Sequence, residues 1–502
     1  MSERTASSYD EMPYINRAFP QTHPDRLATL ARLFGLSPAD LETCRVLELG
    51  CASGDNLIPM ALGLPNAEFL GIDFSERQIE EGRQAVNSLQ LKNIELRHAN
   101  ISDVDAACGQ FDYIICHGIY SWVPEPIREI ILGICRQNLA PRGVAYVSYN
   151  TLPGWHARGM VRSMMLYHSG AQPGASVKVQ KARALMDFLV RNVPANSPYG
   201  MTLKQELEAI RSEPDAYLFH DHLEEVNDPV YFHQFAESAG RHGLQYLAET
   251  NFSMMLLSNF PPQVGEALRP IAADIVRVEQ YIDFLRNRTF RETLLVHQGV
   301  AVKRNLDGQV LQGLYVASPA QPVSEKPSIA EGVTESFRAP NGATIATSNA
   351  VTKAALLLLA ERAPLGLVFE QLVDAARAKR VDNNGVTSDA ATLPKDIRIL
   401  GNDLLRCYAA DVTELRVGPP RMTLTPSAKP VASPLARLQA ERGAPITNLR
   451  HQPVLIDQFG SRLLRLLDGT RDRDALVAAL AVAAGTVEEQ LSKLARNALI
   501  VD

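Results

Sequence analysis

The run Val46-Leu47-Glu48-Leu49-Gly50-Cys51-Ala52-Ser53-Gly54, followed by Phe69-Leu70-Gly71-Ile72-Asp73, limits the folds open to this chain more than any other segment. An apolar stretch that breaks into closely spaced glycines and then an amphipathic run predicts a strand, a tight turn and a helix. Gly50 and Gly54 let the backbone approach a ligand where a side chain would collide. The second strand ends in a carboxylate, Asp73, the arrangement that hydrogen-bonds a ribose diol in doubly wound α/β folds. A nucleotide-type cofactor site is therefore expected. The turn lacks the G-x-G-x-x-G spacing that seats pyrophosphate on a helix N-terminus, which disfavours a dinucleotide. The absence of G-x-x-x-x-G-K-[ST] excludes a P-loop nucleotidase.

A chain of 502 residues is too long for one core and predicts about three domains. With 46% hydrophobic and 21% charged residues its composition is that of a globular protein. No apolar run is long enough to span a bilayer, and the first residues lack the basic and apolar regions of a secretory signal, so no membrane insertion and a cytoplasmic location are expected. Cys44, Cys51, Cys108, Cys116, Cys135 and Cys407 include no C-x-x-C pair and read as reduced core thiols. His220 and His222 lie near several acids but stand two apart, unlike the i, i+4 pairs of common zinc enzymes, and no metal site is expected.

Glu48, Gly50 and Gly54, with Asp73 after the next strand, resemble motif I and the acidic loop of the class I S-adenosylmethionine-dependent methyltransferases. The resemblance implies S-adenosyl-L-methionine as cofactor, a Rossmann-like seven-stranded α/β sheet, and a glycine turn through Cys51 and Ala52 beneath the methionine and ribose parts. Asn93 to Ile101 reads as the third strand and the loop that touches adenine. Asn100 stands there where many relatives carry an acid, and its carbonyl oxygen could accept from the adenine amino group. Phe111 to His117 reads as the fourth strand, whose carboxyl end faces the transferring methyl group in this family. Phe74, Ile101 and His117 complete the cofactor set at the strand ends. Gly143 to Asn150 gives the fifth strand, Gly243 to Glu249 resumes the sheet, and Arg291 to His297 closes it as an antiparallel strand.

Tyr120 and Trp122 lie in the loop after the fourth strand, where substrate enters, and Trp155 lies after the fifth. Loop aromatics above a cofactor cage an amine or a flat substrate, or else pack the loops down. Tyr120 and Trp122 are the candidates for a substrate channel. His117 and His156 are each open to a base role or a structural one, and neither is named as the base.

Several further runs are similar to bacterial methyltransferases that carry a methyltransferase regulatory domain. They include Ser8-Tyr9-Asp10, Thr22-His23-Pro24-Asp25-Arg26, Tyr120-Ser121-Trp122-Val123-Pro124, Tyr149 to Trp155, His220 to Phe232 and Asp283 to Arg291. Some members are protein-lysine methyltransferases that act on outer-membrane proteins. The resemblance implies that Tyr14 belongs to an N-terminal segment folding over the cofactor.

Helical periodicity marks 178–193, with Leu185, Phe188 and Leu189 on one side, and 201–210, with Leu203, Leu207 and Ile210. Residues 318–342, rich in Pro, Ser, Glu and Gly, read as a linker or a loosely tied surface segment. Helices are expected at 349–361 and 369–379, and a closing unit of short helices with an apolar tail, Leu499-Ile500-Val501, suggests a winged-helix-like module. The expected organisation is a methyltransferase core with its cofactor lid (1–150), a helical regulatory or substrate insertion (151–240), completion of the sheet (241–310), a helical module (311–418) and a winged-helix-like module (419–502). Residues 310–502 carry 22 Lys+Arg against 20 Asp+Glu, too balanced for a groove-binding domain, so no nucleic acid is expected as a partner. The leading expectation is methylation of a lysine in a protein, an outer-membrane protein before export among the candidates. A small-molecule N- or O-methyltransferase and a non-catalytic cofactor sensor are the alternatives, and a second copy of the chain stays open as a partner.

Overall fold

The computed structural model describes residues 12, 16–170, 174–384, 390–419 and 421–501. Its centre is a seven-stranded sheet: β1 (Arg45–Leu49), β2 (Glu68–Asp73), β3 (Ile94–His98), β4 (Phe111–Cys116), β5 (Leu139–Asn150), β6 (Leu244–Glu249) and β7 (Phe290–His297). The spatial order is β3-β2-β1-β4-β5-β7-β6, with β7 antiparallel to both neighbours and the remaining pairs parallel. Central parallel strands are covered on both faces and so read as continuous apolar runs. The period of two still sorts them. Val46, Tyr113, Ile115, Val144 and Tyr146 enter one apolar cluster, whereas Leu47, Leu49, Ile114, Cys116, Ala145 and Val147 enter the other. The strand order places the carboxyl ends of β1 and β4 side by side at the switch point, where ligands bind in open α/β sheets.

The helices Trp155–Ser169, Ala175–Asn192 and Pro198–Arg211 form a satellite with its own core. Leu203, Leu207 and Ile210 face that core as expected. On the preceding helix the buried stripe is Val179, Ala182 and Met186, and Phe188 is 59% exposed. The expected stripe through Leu185 and Phe188 therefore lies rotated from the true one. Helix Phe232–Arg241 returns to the sheet, with Phe232 in one apolar cluster and Phe235 and Ala239 in the other.

A buried ionic cluster ties helix Ile275–Arg286 to the sheet edge. Arg291 Nη1 donates to Glu249 Oε1 (2.7 Å), Nε to Asp283 Oδ2 (2.8 Å) and Nη2 to Glu279 Oε2 (3.0 Å), while Arg288 Nη2 donates to Glu249 Oε2 (2.9 Å). Buried charges persist only when paired and hydrogen-bonded. The spacing of Asp283, Arg288 and Arg291 in the sequence is thus the spacing of one cluster.

Segment 318–342 is structured, contrary to the linker expectation. Gln321–Pro322, Glu335–Arg338 and Thr344–Thr347 form a three-stranded sheet, and the buried side chains of Ala320 and Phe337 join the main core. Its prolines and glycines shape turns between strands too short to show periodicity. The helices Ala350–Arg362 and Phe369–Asn384 form where expected, and Leu393–Ala409 adds a third that buries Leu400, Leu404 and Cys407. The chain ends in the helices Pro434–Arg442, Gln458–Leu466, Arg473–Leu480 and Ala484–Arg496 around a core of their own. Asp457 starts the second of these by accepting from the Gly460 N–H (2.6 Å). Among the described residues no single helix is long and apolar enough to cross a membrane.

Candidate active site

The turn after β1 forms the floor of a cavity of about 380 Å³. Gly50, Ala52 and Gly54 all take positive φ, at 73°, 49° and 76°. A Cβ on Gly50 would lie 2.4 Å from Ile119 Cδ1, which would have to shift, and the positive φ itself favours glycine here. Asp73 locks the first turn to the second: its Oδ2 accepts from the Ala52 N–H and its Oδ1 from the Ser75 N–H, each at 2.8 Å. Burial raises the Asp73 pKa above the usual carboxylate range. Glu48, also buried, accepts from Asn56 Nδ2 through Oε1 (2.7 Å), while its Oε2 has no protein partner. Burial pushes its pKa up to about 8. A buried carboxyl group on a cavity wall, with one oxygen lacking a protein partner, can receive a cationic or N–H-bearing ligand group that would favour its ionised form.

Residues 16–21 form a wall of the same cavity. Asn16 Nδ2 approaches the Cys51 carbonyl (3.4 Å), the Phe19 N–H donates to Asn56 Oδ1 (2.9 Å), and Gln21 Nε2 donates to Glu292 Oε1 (2.8 Å). Phe74 and Ile101 line the part beyond Asp73. His117 lines it at the end of β4, its ring centroid 4.0 Å from that of Phe19 and its Nδ1 2.7 Å from the Tyr146 hydroxyl. Burial lowers the His117 pKa to about 4, so the imidazole is neutral near pH 7.

The far part of the cavity is lined by Trp122, Asn150, Trp155, Arg158, Tyr217 and Asp221. The two indoles meet edge to face, 6.5 Å between centroids at 82°. Trp155 is placed by a close backbone approach: the Gly154 N–H donates to the Arg288 carbonyl (3.0 Å), and a Cβ on Gly154 would lie 2.5 Å from that oxygen. Asp221, partly buried and hydrogen-bonded by the Tyr217 hydroxyl, has its pKa raised by burial to about 6.

Glu48, Gly50, Cys51, Ala52, Asp73, Phe74, Ile101 and His117 therefore meet on one cavity, and Trp122 joins them. Three expected residues stand elsewhere. Tyr120 does not line the channel: in the 3₁₀ turn Tyr120–Trp122 successive side chains diverge by about 120°, and the Tyr120 ring packs on Phe235 (5.2 Å) and Tyr149 (5.9 Å) in the core. Asn100 is not a lining residue; its Oδ1 accepts from the Ser102 N–H (3.1 Å) as a helix cap. Gly54 supports the turn from behind, its absent Cβ facing Leu96 and Ile58. Tyr14 lies outside the described residues. Sequence reasoning missed Arg17, Phe19, Gln21, Arg158, Asp221, Phe290 and Glu292, which reach the cavity from distant segments.

Three family models match the chain: a methyltransferase domain over residues 40–208, a predicted methyltransferase regulatory domain over 214–297, and the C-terminal winged helix domain of PKMT over 428–499. The structure of PKMT2 from Rickettsia typhi in complex with AdoHcy is similar over 98% of this chain and 100% of that one, with a TM-score of 0.86 and 31% identity. Uncharacterized protein RP789 of Rickettsia prowazekii (strain Madrid E) is 37% identical over 480 residues, 94% of this chain and 85% of the relative. Uncharacterized protein RP028 of the same organism is 40% identical over 233 residues, 46% of this chain and 93% of the relative.

Proposed function

The chain belongs to the S-adenosylmethionine-dependent methyltransferases that carry a regulatory domain and a C-terminal winged helix, and on that premise we propose that it methylates lysine side chains of a protein substrate. The cofactor fits the residues present. Glu48, with its unpartnered Oε2, would receive the ammonium end of the methionine part, Asp73 the ribose hydroxyls, and Phe74 with Ile101 would flank the base. When bound, S-adenosylmethionine supplies a methyl group activated by a sulfonium and leaves as a neutral thioether.

The observation that carries the lysine reading is the far part of the cavity, which two indoles in edge-to-face contact and the Asp221 carboxylate line together. Indole faces attract a cation and exclude water, and a carboxylate supplies the counter-charge. Asp221 draws the substrate ammonium in and accepts its proton. Desolvation among Trp122 and Trp155 lowers the amine pKa, which makes that transfer easier. The freed nitrogen lone pair would then be the nucleophile for the methyl group that the cofactor supplies when bound. Alignment by the walls supplies most of the remaining rate. The name of the Rickettsia typhi relative, PKMT2, supports the same substrate class.

The test is transfer of labelled methyl from S-adenosylmethionine into a fractionated lysate, with purified outer-membrane proteins as separate acceptors. Base-stable label mapped to lysine in protein bands is the expected result. Label confined to the small-molecule fraction would overturn the reading in favour of a metabolite enzyme.

A further inference from the structure

Asn56 stands at the start of helix Leu57–Gly63, buried, and uses its whole hydrogen-bonding capacity. Its Oδ1 accepts from the Phe19 N–H (2.9 Å) and from His451 Nε2 (2.9 Å); its Nδ2 donates to Glu48 Oε1 (2.7 Å) and to Thr22 Oγ1 (3.0 Å). A primary amide has two acceptor sites and two N–H donors, and here each meets a different residue. Those residues come from three parts of the chain: the wall segment 19–22, the cavity floor at Glu48, and the C-terminal module at His451. The Phe19 N–H can only donate, which identifies Oδ1 as the atom facing it and makes His451 Nε2 the protonated nitrogen.

The geometry around His451 is built for that contact. The residue takes φ +61° inside a turn closed by its own N–H to the Asn448 carbonyl (3.0 Å), and Asn448 Oδ1 accepts from the Arg450 and Gln452 N–H groups (2.9 Å each). A non-glycine residue in the left-handed region is held there by its surroundings. The His451 ring lies 5.2 Å from that of His23, whose Nδ1 accepts from the Asp25 N–H (3.1 Å). Asp25 in turn accepts from the Val417 N–H (2.8 Å), and Arg450 pairs with Glu414. The segment that walls the cofactor cavity is thus clamped between the sheet and the last two modules.

We propose that His451 is a positioning residue for cofactor binding: acting through Asn56, it sets the Glu48 carboxylate and the 19–22 wall, so the winged-helix module is a working part of the cofactor site. This assignment rests on the cofactor and stands whatever the substrate proves to be.

Two variants of the full chain test it. In His451→Gln the amide nitrogen reaches the place of Nε2, whereas His451→Leu fills similar volume with no donor. Calorimetry with S-adenosylhomocysteine is expected to show H451L weakened by about tenfold and H451Q within about threefold of the parent chain, since without a donor at 451 Asn56 Oδ1 keeps the Phe19 N–H but loses the bond that fixes the amide against the C-terminal module. Turnover at saturating cofactor stays near the parent value in both, so the change falls on the cofactor KM and not on kcat. Equal affinity in all three proteins, or an equal loss in both variants, overturns the proposal. Should H451L fail to fold, hydrogen exchange on the unaltered chain decides. Coupling between sites is reciprocal, so S-adenosylhomocysteine must slow exchange in the 448–452 turn as well as in 19–22, and an unchanged 448–452 turn overturns the proposal.

Discussion

The two ends of the cavity are made of different material. The cofactor end is built on main-chain turns, the one after β1 and the loop after β2, cross-linked by Asp73 through two backbone N–H groups. The far end is built on the insertion, with Trp155 and Arg158 on one helix and Tyr217 and Asp221 on short helical turns further along, and Trp122 meets Trp155 from the 3₁₀ turn after β4. A floor set by strand ends fixes one ligand shape, whereas a wall of side chains on helices with their own small core can change its chemistry without disturbing the sheet. On the proposed function, the first end would hold the cofactor and the second the acceptor.

The comparison breaks first at Gly50. Gly50→Val forces a β-branched residue into positive φ and drives its side chain at Ile119, so cofactor affinity should fall on the order of 100-fold with the circular dichroism spectrum retained. Near-parental affinity by calorimetry would mean that the floor is less rigid than its backbone geometry requires. Asp221 gives the next largest effect. Asp221→Asn should lower kcat/KM for a lysine peptide about 10- to 100-fold and leave cofactor affinity within about twofold. Its pH profile carries a sign. With a pKa of about 6, Asp221 is ionised above that pH and protonated below it, so kcat/KM of the parent should gain an acid limb near pH 6 that the asparagine variant lacks. A limb of equal size in both would assign the titration to another group. The smallest effect belongs to Asn100→Ala, which should cost about 1 kcal/mol of stability through the lost cap and change cofactor affinity less than about twofold. A larger loss of affinity would return Asn100 to the adenine.

The same division explains what could be read from the residues alone. β1 to β5 and their helices follow one another in the chain, and each strand carries its apolar run and its turn, so the glycine turn, Asp73 and the end of β4 at His117 were legible at short range. The apolar run of β7 marked a strand, and its antiparallel closure was what the methyltransferase resemblance implied. The far end was not legible. Asp221 sits among histidines and acids that suggest a metal before they suggest an ammonium, and only the folding of the insertion brings it to the cavity that Trp122 also lines. Tyr120 misled because a sequence names a loop but not which way a 3₁₀ turn faces. Phe19 and Gln21 gave no local signal, since their contacts are to Asn56 and to Glu292. The 318–342 segment misled for the opposite reason, its strands being shorter than any periodicity can reveal.

The placement of β7 between β5 and β6 has a consequence for how the protein comes into being. Synthesis delivers the glycine turn, Asp73 and the end of β4 early, while Phe290 and Glu292, which line the same cavity, emerge only after the whole insertion. Until then β5 presents an unpaired edge, the kind that invites association with other chains. The insertion, with a core made from neighbouring helices, can fold on the ribosome while that edge waits. A nascent chain therefore holds the floor of the cavity long before Phe290 and Glu292 arrive to complete its walls.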